Sequence, residues 1–387
     1  MDIVIEIGKG FGRLFMNPLL YIAIICCLAI GHRRVQNERK WFNRQIHWGM
    51  YETVFLLKQG WRMALIFTII SLLLGFVLPP VYLVLVAIIM IIGLVSFYYH
   101  LASAVYGFGF AFVILWFTYV YDGSWTLGPW QVDALSMHQH LFMTVPFLLA
   151  IVLIIEGQLI KKYAAWNASP RYQKTDRGLK AVTYLAKRIW ILPVFFLIPG
   201  SVIPDALPFW PRFNIGSETF SLVLFPVVFG FQQRARKELP ATFYPKFGAT
   251  VQLLGALVFI EALIAIFIPI VGLAAVVLAV IGRMLISILY SISERKGAFA
   301  VTPNKKGVVV VAVLPGSPAE AMGIQKGEVI RRVNGIPIHS EDELYEALQI
   351  NAAHCRIEVL DTNDEVRIRQ HVVFRDDHFR IGLIVLK

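Results

Sequence analysis

The sequence predicts an α-helical polytopic membrane domain of seven to nine transmembrane helices, followed by a small α/β domain at its C-terminal end. Three observations predict it. The chain of 387 residues is 57% apolar and only 16% charged, with a mean hydropathy of +0.66, whereas ordinary globular domains carry about a quarter charged residues. Long apolar runs recur through residues 1–292 and then stop. From residue 293 the composition is that of a soluble domain, with short β-branched runs and turn signals. The boundaries are therefore 1–292 and 293–387.

A helix needs about 20 apolar residues to cross a hydrocarbon core of about 30 Å, because each residue rises about 1.5 Å. Runs near 12–31, 62–79, 81–99, 102–121, 141–160, 189–204, 218–233, 248–268 and 271–292 meet or approach that length, the sixth and seventh being the short ones. The connections at Pro79-Pro80 and from Pro269 to Gly272 are tight enough to make hairpins. Nine spans is the reading, with seven or eight as the alternatives; a re-entrant hairpin at either tight connection leaves the assignment of the loops below unchanged.

Orientation follows from Lys and Arg. Loops 32–61, 161–188 and 234–246 hold eighteen of them, while the opposing loops 122–140 and 205–217 hold Arg212 alone. That bias places the three basic loops, and with them the C-terminal domain, in the cytoplasm. Eight of the tryptophans (Trp41, Trp48, Trp61, Trp125, Trp130, Trp166, Trp190 and Trp210) fall in loops or near span ends, as an interfacial belt requires. Within 41–61, Trp41, Phe42, Trp48 and Tyr51 mix with Arg44, His47 and Lys58, which predicts an amphipathic helix on the cytoplasmic face, with a solvated loop as the alternative. Glu261 and Arg283 lie deep in apolar sequence at similar distances from the turn near 269–272. A lone charge there costs about 2.5–3.5 kcal/mol, so an ion pair between them is expected, the alternative being that Arg283 snorkels to the interface.

The net charge of +11 sits in loops flanking apolar runs and accompanies no nucleic-acid-binding motif, so no nucleic acid partner is expected. Cys26, Cys27 and Cys355 have neither a disulfide framework nor metal-ligand spacing. The first apolar run lacks an A-x-A-like cleavage site and is expected to be retained. No H-E-x-x-H, G-x-S-x-G, Walker A or dinucleotide fingerprint occurs. His138 and His140 with Asp133, and separately His100, read as interfacial polar residues. The expectation is no enzyme, no cofactor and no metal.

In the C-terminal domain Val308–Val313 is a β-branched run ended by Pro315-Gly316-Ser317-Pro318. Asn334-Gly335 is the pair favoured in a type I′ hairpin, because both positions need φ > 0. Ser340 with Glu343 makes a capping box that opens a helix to about Ile350, with Leu344 and Leu348 on one face. Strands Cys355–Leu360 and Val366–Phe374 follow, the second with Val366, Ile368, Val372 and Phe374 on one face. The stretch GVVVVAVLPGSPAEAMGIQKGEVIRRVNGIPIH, residues 307–339, followed by SEDELYEAL, resembles a bacterial PDZ domain of the kind appended to membrane and periplasmic proteases. Met322 stands where that family has Ala, and Glu328 where it has Asp.

The resemblance implies binding of an extended peptide by β-augmentation, with main-chain amides of a glycine-containing loop holding a carboxylate. It implies a groove helix at 340–350 with Leu344 and Leu348 toward the ligand. Two segments resemble the carboxylate loop: Lys296-Gly297-Ala298-Phe299, preferred for its place before the first strand, and Arg380-Ile381-Gly382-Leu383.

The architecture and length, the opening Asn17-Pro18-Leu19-Leu20-Tyr21 and the basic exit GHRRVQNERK from Gly31 together resemble the MinJ-like cell-division topological determinants of rod-shaped Gram-positive bacteria. That resemblance implies a non-catalytic adaptor at septa and poles. Its implied partners are a DivIVA-like scaffold and a MinD-like ATPase, which with MinC restrains FtsZ assembly. A PDZ regulator of a membrane protease or secretion complex, and a transporter, are the rival readings.

Overall fold

Asn17-Pro18 divides the first two helices. The Asn17 side chain accepts from the Leu19 N–H at 3.0 Å and the proline takes the first helical position, where its missing N–H leaves nothing unpaired. The computed structural model describes residues 2–127, 130–132, 140–166, 168–175, 177–204, 219–350, 355–371 and 381–386. Helix α1 (Asp2–Met16) precedes this cap and α2 (Pro18–Phe42) follows it. Then come α3 (Tyr51–Lys58), α4 (Trp61–Leu74), α5 (Pro80–Val95), a 3₁₀ turn at Tyr99–Ala102, and α6 (Ala104–Val120). A small hairpin of β1 (Trp125–Leu127) and β2 (Trp130–Val132) leads toward α7 (Leu141–Tyr163). Strands β3 (Ser169–Lys174), β4 (Lys180–Pro204) and β5 (Thr219–Ala235) form one antiparallel sheet, followed by α8 (Pro240–Ala265) and α9 (Ile270–Arg295).

Five helical stretches among the described residues are long and apolar enough to cross a membrane: Pro18–Phe42, Tyr51–Leu74, Leu141–Tyr163, Pro240–Ala265 and Ile270–Arg295. Pro80–Val95 and Ala104–Val120 are apolar but shorter. The expected spans at 189–204 and 218–233 are not helices. They are the strands β4 and β5, paired from Tyr184↔Ala235 to Phe196↔Val223 and beyond. The runs are rich in Ile, Val, Phe and Trp, and Pro193 and Pro226 stand opposite each other near the middle, where a proline disfavours a helix by about 3 kcal/mol. Apolar runs this short carry no periodicity that separates helix from buried strand. Trp190, Phe196 and Phe229 are fully buried, so the hairpin runs through the core of the helical domain. Neighbours meet part of the outer edge of β4: the backbones of Phe76 and Leu78 exchange hydrogen bonds with Leu197, Thr68 Oγ1 accepts from the Phe195 N–H, and Tyr244 Oη accepts from the Ala186 N–H. An apolar setting demands such partners for every backbone group.

The charge pairing also differs from the expectation. Arg283 on α9 pairs with Glu156 on α7, at 2.6 Å, with both side chains 0% exposed. Ser103 donates to the other carboxylate oxygen at 2.7 Å, and Arg283 also donates to Ser287 at 2.6 Å. Glu261 on α8 is not its partner. Equal depth below a turn says nothing of which helix face a residue occupies, and each residue rotates a helix by about 100°. The segment 41–61 is likewise divided: Trp41 and Phe42 end α2, residues 43–50 are irregular, and only Tyr51–Lys58 is the helix α3 before α4 begins.

The C-terminal domain comprises β6 (Val308–Val313), α10 (Pro318–Ala321), β7 (Val329–Val333), β8 (Ile336–Pro337), α11 (Glu341–Ile350), β9 (Cys355–Leu360), β10 (Val366–His371) and β11 (Leu383–Val385). The sheet order is β10-β9-β7-β6-β11, with β8 on β7. Asn334 and Gly335 take φ of 52° and 88°, as the tight turn requires. The Asn334 side chain also accepts from Arg356 N–H and donates to the Ala347 carbonyl, tying the turn to β9 and α11. Ser340 accepts from the Glu343 N–H at 3.1 Å, the expected cap of α11, while Glu343 reaches back to the His339 N–H. Val366 and Ile368 are exposed, and Val372 and Phe374 lie outside the described residues.

Candidate functional site: a cleft with an interdomain wall

Strand β11 is the last of its sheet. It pairs antiparallel with β6, Leu383 opposite Val313 and Ile384 opposite Ala312, and no described strand covers its other edge. Gly382 sets the strand's entry: its φ is +83°, its carbonyl accepts from the Leu314 N–H at 2.8 Å, and a Cβ there would collide with Ser317. Between β11 and α11 lies a cleft of about 570 Å³, lined by Leu383–Val385, by Glu341 and Tyr345, and by Trp41, Phe42, Asn43, Arg44, Tyr172, Gln173, Lys174 and Lys180 from the helical domain. An edge strand beside a helix is the geometry that adds a peptide as a further strand.

The structure redistributes the expected groove residues. Leu344 and Leu348 are 0% and 4% exposed and pack in the domain core with Val310, Ile330 and Ile357. The turn of α11 toward the cleft is carried by Glu341 and Tyr345 instead. Lys296, Gly297, Ala298 and Phe299 do not line the cleft; they belong to the connection between domains. Phe299 is buried under the Arg236 guanidinium at 4.0 Å, the Ala300 N–H donates to the Arg236 carbonyl, and Val301 bridges to Val182 on β4. Of the alternative loop, Arg380 lies outside the described residues, while Gly382 and Leu383 lead directly into the cleft strand. Asp133 and His138 also lie outside the described residues; His140 precedes α7. Among the described residues no three His, Cys, Asp or Glu gather as a metal site.

Sequence reasoning missed the wall from the helical domain. It is held by Arg34, whose guanidinium meets Glu52 at 2.6 Å and Glu38 at 2.9 Å and donates to the carbonyls of His47 and Trp48. Glu38 in turn accepts from the Ile46 N–H and Ser169. Residues 43–50 are thereby fixed against α2 and β3. The spacing of Arg34 and Glu38, four apart on one helix, is the signal the sequence offered.

The domains also touch through Lys326. Its Nζ donates to the Ala168 carbonyl at 3.4 Å and lies 5.8 Å from the Tyr184 ring, whose hydroxyl donates to Val311 at 2.8 Å. Burial pushes the Lys326 ammonium down to about 8, with Glu38 opposing the shift. The neighbouring His47 is pushed down to about 3, by burial first and then by Arg34, and stays neutral at pH 7. An unperturbed lysine titrates near about 10.4. Between about 8 and 10.4 the undocked lysine binds more protons than the docked one, so docking strengthens as pH rises through that window and is level below it. Hydrogen exchange at Val301 and Val182 is expected to slow from pH 7 to pH 10 after correction for the intrinsic rate. In Lys326→Met the dependence is expected to vanish.

A PDZ-domain family model matches residues 309–360. Over 384 residues the chain is 29% identical to the cell division topological determinant MinJ of Bacillus subtilis (strain 168), covering 99% of this chain and 96% of that protein. A probable cell division topological determinant MinJ of Lacticaseibacillus paracasei is 30% identical over 91 residues, 24% of this chain and 25% of that protein. Serine protease HTRA3 of Mus musculus is 40% identical over 60 residues, only 16% of this chain and 13% of the protease, and that likeness lies in the PDZ domain. The chain is thus MinJ-like over nearly its whole length and carries a PDZ domain near its C-terminal end.

Proposed function

We propose that this chain is a multi-pass membrane adaptor in division-site selection, with residues 1–292 as its anchor and 293–387 as a cytoplasmic PDZ domain. The observation that carries the reading is the similarity to a cell division topological determinant across both parts of the chain. The packing is consistent with that topology. The PDZ domain touches Ala168, Val182, Tyr184 and Arg236, all within or beside the basic loops that the charge bias assigns to the cytoplasm. In this reading the chain joins a DivIVA-like scaffold to a MinD-like ATPase at septa and poles, and through MinC restrains FtsZ. It acts by holding partners together, without turnover, cofactor or nucleic acid.

The HTRA3 likeness favours a second reading, a regulator of a membrane protease or secretion complex. It covers a recognition domain and brings no catalytic residue with it. A transporter has less support, since Arg283 is neutralised by Glu156 rather than set beside a pathway. The test is a fluorescent fusion in dividing rod-shaped cells, with and without residues 293–387. Septal and polar enrichment that weakens on truncation is expected. Uniform membrane fluorescence from both forms would overturn the division-site reading.

A further inference from the structure

We infer that the wall supplied by the helical domain makes the PDZ cleft selective for an extended acidic peptide, held between β11 and the basic end of the β3–β4 hairpin. A PDZ groove ordinarily has two sides, the edge strand and the helix. Here a third is added. Tyr172 packs against Phe42 and Trp41 at ring distances of 4.8 and 6.0 Å, giving the cleft an aromatic side.

Arg44, Lys174 and Lys180 complete the lining; all three are exposed, and none is ion-paired with another described residue. Lys174 and Lys180 stand directly opposite each other in the β3–β4 register. Like charges in that position repel and weaken the hairpin. Among the described lining residues the only acid is Glu341. The cleft therefore offers an uncovered strand edge, aromatic surface for apolar side chains, and excess positive charge that a nearby anion would relieve. Basic residues beside a membrane also attract anionic headgroups. The peptide is favoured here because these cations share a cleft with the edge of β11.

The proposal rests on the peptide-binding part of the adaptor reading and is independent of where the protein sits in the cell. Binding is therefore measured in vitro, with the full chain in zwitterionic nanodiscs. Three labelled peptides share an apolar C-terminal half and carry glutamate, glutamine or lysine upstream; fluorescence anisotropy reads their affinity. The glutamate peptide is expected to bind about tenfold more tightly than the glutamine peptide, the lysine peptide most weakly, with the preference fading as salt rises. Lys174→Gln with Lys180→Gln removes the repulsion, is expected to fold at least as well, and should abolish the preference for the glutamate peptide over the glutamine peptide. Equal binding of the glutamate and glutamine peptides would overturn the proposal, and so would a preference that survives in the double variant. Absence of peptide binding, with the lysines needed only for association with anionic vesicles, would overturn it in favour of headgroup contact.

Discussion

Glu156→Gln is expected to destabilise the helical domain by about 3–5 kcal/mol, because it leaves Arg283 charged, buried and unpaired. Both side chains are 0% exposed, and the carboxylate ties α7 to α9 and accepts from Ser103 ahead of α6. The relevant comparison is with Glu261→Gln, which breaks no ion pair with Arg283 and is expected to change stability by less than about 1 kcal/mol. Replacing both partners, Glu156→Leu with Arg283→Met, is expected to recover most of the loss, since an apolar pair of similar volume often replaces a buried ion pair without penalty. Thermal unfolding in nanodiscs, read as the fraction remaining monodisperse, orders the variants. A Glu156→Gln protein as stable as the parent would contradict the pairing.

Arg34→Met is expected to cost a similar amount, about 3–5 kcal/mol, but locally. It strands Glu38 and Glu52, which are 1% and 5% exposed, and releases the carbonyls of His47 and Trp48. The consequence runs from packing to function. Residues 43–50 lose their attachment to α2, Glu38 loses the charge that holds it over Ile46 and Ser169, and the cleft loses the wall that includes Asn43 and Arg44. Hydrogen exchange is expected to accelerate across 43–50, while β6, β7 and β9 keep their protection. Peptide affinity should fall although the PDZ domain itself remains folded. Unchanged exchange at 43–50 would contradict the assignment of Arg34 as the anchor of that wall.

The parts legible in the sequence were those written in local chemistry. Asn17-Pro18, Asn334-Gly335 and Ser340 with Glu343 are short-range signals, and each occupies the turn or cap its residue types require. The long apolar helices and the PDZ domain were legible for a related reason, since length and motif spacing are carried within one segment. What failed was nonlocal. The β4–β5 hairpin reads as two short apolar spans until the pairing of Pro193 with Pro226 shows the register. Glu156 was hidden because its partner lies on another helix, and a depth argument selected Glu261 in its place. On α11 the apolar spacing marks the core side: Leu344 and Leu348 serve the core, while Tyr345 and Glu341 line the cleft. Its outer wall comes from residues more than 150 positions away in sequence, a proximity that only the docking of the two domains creates.

The central claim is that this chain physically joins a polar scaffold to the division inhibitor. Sequential affinity purification tests it most directly: a tagged DivIVA-like scaffold is recovered from membranes, this chain is captured from that eluate, and the MinD-like ATPase is quantified in the final fraction. The account predicts that the ATPase follows the scaffold only when this chain is present. Recovery of the ATPase with the scaffold to the same extent without this chain would contradict it.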